Sequence, residues 1–336
     1  MHRLFGRRSH RRRAPHAIAL CVFLAACSAE PAPVAPPPPT DVAQTAAYLD
    51  NVIRLMQTNS INRLRIDWAA FGTQVRAAAT GARAVDELVP ALRTALTLLG
   101  DGHSSFRLPS GQVLFVPVRQ CAAATVPDAT VPPTIGYVRV PAFSGTSAQA
   151  SALAAGLRSG IQTRDVPGVV GWIVDPRGNG GGNMWPMVAG VGPVLGDGVI
   201  GHFIDPTGVT TVWEYQSGAA RLAGSDIQRV TTPYVLRASA PPVAVLIDNR
   251  VASSGEAVAI AFKARANTRF FGSATCGLST ANLGFPLADG ALLNLTVSTM
   301  ADRNRVPFGE QVQPDERIVV ADSAVSRAIE WLRSGR

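Results

Sequence analysis

Three short segments carry residues whose types and spacing suit acyl chemistry. Asp248-Asn249-Arg250-Val251-Ala252-Ser253-Ser254-Gly255-Glu256 sets two serines where an apolar run (242–248) gives way to a helical pattern (254–266). A nucleophilic hydroxyl gains from that placement, because the free N–H groups and dipole of a helix N-terminus stabilise negative charge. The same residues also suit an ordinary N-cap, with Glu256 in the first turn. Asp175-Pro176-Arg177-Gly178-Asn179-Gly180-Gly181-Gly182 follows a second apolar run (168–174) and precedes another helical pattern. Such a turn exposes backbone N–H groups that can hold an anion, and it equally suits a tight turn that needs glycine. Neither a Gly-x-Gly-x-x-Gly fingerprint nor a Lys-Ser/Thr ending is present, so a transient oxyanion fits better than a bound phosphate.

A nucleophilic serine needs a base. Beyond the first 26 residues only His103 and His202 remain. His202 lies in the apolar run 199–204, where a packed histidine is the simpler reading. His103 sits in Leu98-Leu99-Gly100-Asp101-Gly102-His103-Ser104-Ser105-Phe106, a glycine-flexed loop that leaves a helical region. Catalytic side chains concentrate in such junction loops, and a neutral imidazole accepts a serine proton near pH 7. Two histidines without paired spacing and scattered cysteines do not make a metal site, and nothing calls for a cofactor.

The elements that must position these groups follow from the apolar pattern. Residues 41–100 repeat apolar side chains at helical spacing (Tyr48, Val52, Ile53 and Met56; Leu88, Leu92 and Leu96), which predicts a small helical bundle. From about residue 113, strand-like and helical runs alternate: strand 134–143, helix 148–161, strand 168–174, a helical segment 185–195, strand 242–248, helix 254–266. A hairpin about Asp289-Gly290 and a terminal helix 323–334 complete the series. Nearly continuous apolar strands between helices predict an α/β layered core with the sheet buried on both faces.

The net charge of +8 is a property of the N-terminus rather than of a binding surface. Six arginines and no acid fall in residues 1–26, leaving 25 basic against 23 acidic residues. No basic patch with interleaved aromatics suggests nucleic acid as a partner. Residues 1–26 read as an export signal, an arginine-rich stretch followed by an apolar run too short to span a bilayer. It ends in Leu24-Ala25-Ala26-Cys27, which resembles the bacterial lipoprotein cleavage box, with Cys27 as the lipidated residue. Residues 27–42 are a proline-rich tether. These features predict a body on a lipid leash in the bacterial cell envelope, facing the periplasm at the outer membrane. In that compartment Cys121 and Cys276 either form a disulfide or remain as buried thiols.

Taken together, Leu99-Gly100-Asp101-Gly102-His103-Ser104, Asp175 to Gly182 and Ala252-Ser253-Ser254-Gly255-Glu256 resemble the tail-specific, or C-terminal processing, serine peptidase superfamily. Gly272-Ser273-Ala274-Thr275-Cys276-Gly277, Asp289-Gly290-Ala291-Leu292-Leu293-Asn294-Leu295-Thr296 and Gln313-Pro314-Asp315 extend the match, in order, over roughly residues 95–320. The resemblance implies a ClpP/crotonase-like layered core (101–336) of mixed sheet and helices behind the bundle (43–100). The processing-protease branch places its nucleophile directly before the glutamate and takes a lysine as base. Here Gly255 and Leu278 stand at those positions, and the sole lysine, Lys263, lies in the following helix. The tricorn-like branch places serine three residues before the acid, which implies Ser253 as nucleophile, His103 as base and Glu310 as the carboxylate orienting it. The implied oxyanion donors are the N–H groups of Ser254 and of Gly181 or Gly180. The stretch between His103 and Ile135 is too short for the PDZ domain of the processing proteases. Peptide-bond hydrolysis of a peptide or protein substrate is the expected activity. A non-catalytic ligand- or peptide-binding lipoprotein on the same scaffold, or an esterase using the same site, are the alternatives.

Overall fold

The computed structural model describes residues 42–121, 126 and 129–335; the predicted export signal, Cys27 and the tether lie outside the described residues. Three helices open the described chain: α1 (Val42–Asn59), α2 (Trp68–Ala77) and α3 (Val89–Leu99). Asp67 caps α2 by accepting the N–H groups of Ala69 and Ala70, and α3 stops at Gly100, whose φ of 66° is the left-handed conformation glycine favours. Their apolar faces bury Val52, Met56, Phe71, Leu92 and Leu99 together with Phe106, Leu114, Leu293 and Leu295 from the strands that follow. One core is therefore shared across the expected bundle boundary at residue 100. No described helix is long and apolar enough to cross a membrane.

The remaining elements are β1 (Ser105–Arg107), β2 (Val113–Phe115), β3 (Ile135–Arg139), α4 (Ser147–Arg164), β4 (Gly171–Asp175), α5 (Met184–Leu195), β5 (Gly198–Ile204), β6 (Thr210–Gln216), β7 (Ala219–Leu222) and β8 (Ser225–Arg229). They continue with β9 (Val243–Ile247), α6 (Ser254–Phe262), β10 (Thr268–Gly272), β11 (Thr280–Pro286), β12 (Leu292–Ala301), β13 (Glu316–Arg317) and α7 (Ala321–Arg333). Strands β13-β10-β9-β4-β3 form a parallel sheet in that order. Its centre explains the continuous apolar runs. In β9, Val243, Val245 and Ile247 face the core containing α4, α5 and α6 residues, whereas Ala244 and Leu246 face Val325, Ala328 and Trp331 of α7. Both faces are buried, so alternation disappears from the sequence.

The second sheet runs β2-β1-β12-β5-β6-β7-β8 with antiparallel pairing, and β11 pairs with the other edge of β12. Helix α6 is shorter than predicted. Lys263 turns to an extended conformation (φ −64°, ψ 145°), and Ala264 takes a positive φ of 56°.

Candidate active site

Strands β4 and β9 are neighbours in register, Val174 beside Val245, so the turns leaving their C-terminal ends lie together. Those turns are the glycine-rich and serine segments, at the end of a parallel sheet where ligands bind in open α/β structures. Glycine is needed where they touch. A Cβ on Gly255 would come within 2.2 Å of the Asn179 carbonyl oxygen, and one on Gly181 within 2.8 Å of Ser253 Cβ. The requirement at Gly255 accounts for the residue that departs from the processing-protease pattern.

Ser253 has φ 52° and ψ −119°, a conformation costly for a side-chain-bearing residue, at the sharp turn from β9 into α6. Its N–H donates to Glu256 Oε2 at 3.0 Å. The fully buried Glu256 carboxylate also accepts the N–H groups of Gly277 (2.9 Å) and Leu278 (2.7 Å) and the Thr275 hydroxyl. Burial pushes its pKa up to about 7 against the pull of these donors. Glu256 therefore ties the serine turn to the 275–278 segment.

His103 Nε2 lies 3.0 Å from Ser253 Oγ, across 150 residues of chain. Asp101 shapes the loop that brings it there, accepting the N–H groups of His103 (2.8 Å) and Ser104 (2.7 Å) and the Ser104 hydroxyl (2.7 Å). Burial lowers the imidazole pKa to about 4, opposed by the charge of Asp101, so the ring is neutral at pH 7. On its other side, Nδ1 lies 2.8 Å from Thr280 Oγ1. With Nδ1–H donating to that hydroxyl, Nε2 presents its lone pair to Ser253.

Glu310 is not part of this line. The residue is exposed, and its main-chain carbonyl accepts the Ser279 hydroxyl. Successive side chains of an extended chain point to opposite sides. Ser279 reaches the 308–311 loop on one side of the strand, and Thr280 reaches His103 on the other. Thr280, a residue that sequence reasoning passed over, makes the contact to the His103 ring that was expected of Glu310.

The hydroxyl of Ser254 is engaged elsewhere than at His103, donating to the Gly182 carbonyl at 2.6 Å. Gly181 differs from expectation because its N–H is already given to Asn179 Oδ1 at 2.9 Å. Gly180 is exposed, and it is Gly182 that lines the cavity with Ser253, Ser254 and His103. Lys263 lies at the far end of the nine-residue α6, about 13 Å along the axis from its start at 1.5 Å per residue. Its Nζ donates to the Gln313 carbonyl, beside Asp315 and over the Phe270 ring. His202 is buried, with Nδ1 on the Asp302 carbonyl at 3.0 Å.

The cavity over Ser253 measures about 1080 Å³. Val113, Phe115, Phe203 and Leu283 give it apolar walls, and Arg63 and Asp205, paired at 2.7 Å, stand among its lining residues. Beside the site, Cys121 and Cys276 form a disulfide with Cα atoms 5.2 Å apart. The segment it anchors packs Val118 onto Gly102 and Arg119 onto Gly277.

A parallel sheet with a serine turn and a histidine loop meeting over a cleft defines a class of hydrolase scaffold. The comparisons place it: peptidase family S41 matches residues 134–318, and the chain belongs to that family. It is 31% identical over 269 residues to the nisin-resistance protein of Lactococcus lactis subsp. lactis, covering 80% of each chain. It is 27% identical over 216 residues to a chloroplastic C-terminal processing peptidase of Tetradesmus obliquus, spanning 62% of this chain but only 41% of that longer protein. In fold it is similar to a lipoprotein from Streptococcus agalactiae, with a TM-score of 0.68, 20% identity and coverage of 88% of this chain and 97% of the other.

Proposed function

We propose that the protein is an exported serine peptidase in which Ser253 is the nucleophile and His103 the general base. The single observation carrying this reading is the 3.0 Å approach of His103 Nε2 to Ser253 Oγ. In the reaction, Nε2 takes the hydroxyl proton as Oγ bonds to the scissile carbonyl carbon. The N–H groups of Ser254 and Gly182 receive the oxyanion; one such donor contributes about 3 kcal/mol of transition-state stabilisation. The imidazolium then protonates the leaving amine, and water, deprotonated by the same ring, releases the acyl group from Ser253.

Thr280 holds the ring's tautomer but carries no charge, so it orients the imidazolium without neutralising it. Burial without a carboxylate partner agrees with the low pKa of His103. The apolar cavity walls favour a peptide with apolar side chains around the cleaved bond. The relationship to a nisin-resistance protein makes nisin the first peptide to assay. Export through residues 1–26 and lipidation at Cys27 belong to the same reading, supported by the cleavage-box sequence and by the likeness to a streptococcal lipoprotein. The test is peptide turnover by the protein lacking residues 1–26. Ser253→Ala is expected to lose at least about 10⁴-fold in kcat/KM, and Ser254→Ala to retain cleavage. Equal turnover by wild type and Ser253→Ala would remove the assignment.

A further inference from the structure

Strand β11 grips His103 at two points. Thr280 and Asn282 are two residues apart on one strand and so share a face. Thr280 Oγ1 meets the ring at 2.8 Å, and Asn282 Nδ2 donates to the His103 main-chain carbonyl at 3.1 Å. The pairing of β11 with β12 is irregular at this point, passing from Ala281↔Ser298 to Asn282↔Thr296. The extra residue, Val297, is on β12, so the bulge bends β12 while Thr280, Ala281 and Asn282 keep their alternation on β11; bulges recur beside active sites.

The orientation of the Asn282 amide is fixed by its neighbour. A carbonyl only accepts, so the end facing His103 must be the NH₂ group, and the oxygen is the other end. That oxygen is buried and has no hydrogen-bond partner among the described residues. Buried polar atoms left in this state are few in native structures and call for a reason. Among the described residues with such atoms, only Asn282 lines the cavity that holds Ser253, His103 and Thr280. Among the described residues strand β11 pairs on one side alone, with β12, and Leu283 and Gly284 are exposed along it. An extended chain laid beside such a strand presents main-chain N–H groups at regular intervals.

We propose that Asn282 Oδ1 accepts a main-chain N–H of the bound substrate, making Asn282 a specificity-determining residue that selects a peptide backbone over an ester analogue at one position near the cleaved bond. This rests on the peptidase reading of the same cavity. Asn282 is then only half satisfied in the free enzyme, and its acceptor is completed by a chain carrying an amide hydrogen where the strand edge requires one. An ester oxygen or N-methyl group at that position has no hydrogen to give.

The experiment takes one peptide that the enzyme cleaves and replaces each backbone N–H in turn, apart from the scissile one, by an ester oxygen or N-methyl group. The kcat/KM of each analogue is measured with wild type, Asn282→Ala and Asn282→Asp, alongside the rate of fluorophosphonate labelling. At one position the replacement is expected to cost wild type about tenfold, the scale of one hydrogen bond into a buried acceptor. Asn282→Ala should cleave the parent peptide about as slowly as wild type cleaves that analogue, with no further loss on the analogue itself. Asn282→Asp keeps an acceptor and should keep the position-specific penalty. Any effect of losing the bond to the His103 carbonyl falls on all substrates and on labelling alike, so it cancels from the ratio. The same penalty in wild type and Asn282→Ala at every position would overturn the proposal while leaving the peptidase intact. No labelling and no cleavage by wild type would remove both.

Discussion

Thr280 Oγ1 lies 2.8 Å from His103 Nδ1, on the opposite side of the ring from Ser253 Oγ at 3.0 Å. The imidazole stands between two hydroxyls rather than between a hydroxyl and a carboxylate. Thr280→Val, which keeps the shape and removes the hydroxyl, should lower kcat about 10- to 100-fold through loss of the favoured tautomer, less than the roughly 10²- to 10⁴-fold that general-base catalysis contributes in full. Glu310→Gln should leave kcat and KM unchanged. Steady-state kinetics of the two variants on one peptide separates the roles.

The pH profile follows from the burial of His103. On the proposed mechanism the neutral ring is the base, and burial lowers its pKa to about 4. The kcat/KM of the free enzyme should rise through pH 4 and be flat by pH 6. At pH 5 about nine-tenths of the rings are neutral, against only a few per cent for an imidazole at the ordinary value. Stability carries a matching sign. The unfolded chain binds the proton between pH 6.5 and 4 and the folded chain does not, so the contribution of His103 is full above pH 6.5 and is lost as pH falls towards 4. Glu256, raised to about 7, works the other way, and stability falls as pH rises from 4.5 to 7. Denaturant midpoints of wild type and Glu256→Gln across this range isolate the second effect.

The Cys121–Cys276 disulfide closes a loop of 155 residues and holds Val118 against Gly102, one residue from His103. Cys121→Ser is expected to destabilise by about 2–4 kcal/mol, lowering Tm by several degrees. Reductant should reproduce the shift in wild type and have no effect on the variant. Differential scanning calorimetry with and without reductant reads both.

Much of the scaffold was legible because its physics is local. Continuous apolar runs at Val243–Ile247 and Gly171–Asp175 mark strands covered on both faces, and the glycines and serines after them mark the turns. The antiparallel meander from Thr210 to Arg229 was not legible, since only Trp213, Tyr215, Ala219 and Ala220 of its strand residues are buried and the strands between turns are short. Proximity in the candidate site was legible where chemistry restricts residue type: the Ser253 and His103 side chains do meet. It was not where geometry decides among equals. Thr280 rather than Glu310 meets the ring through the side on which one strand residue points, and the Gly181 N–H is turned to Asn179 while Gly182 lines the cavity. Nothing in composition or spacing carries either fact.

The most direct measurement is the intact mass of the protein after reaction with a fluorophosphonate, followed by mapping of the modified peptide. A single adduct on Ser253 is expected, abolished by Ser253→Ala, slowed at least about 10³-fold by His103→Ala and unchanged by Glu310→Gln. An adduct that persists in Ser253→Ala, or labelling indifferent to His103, would contradict the account.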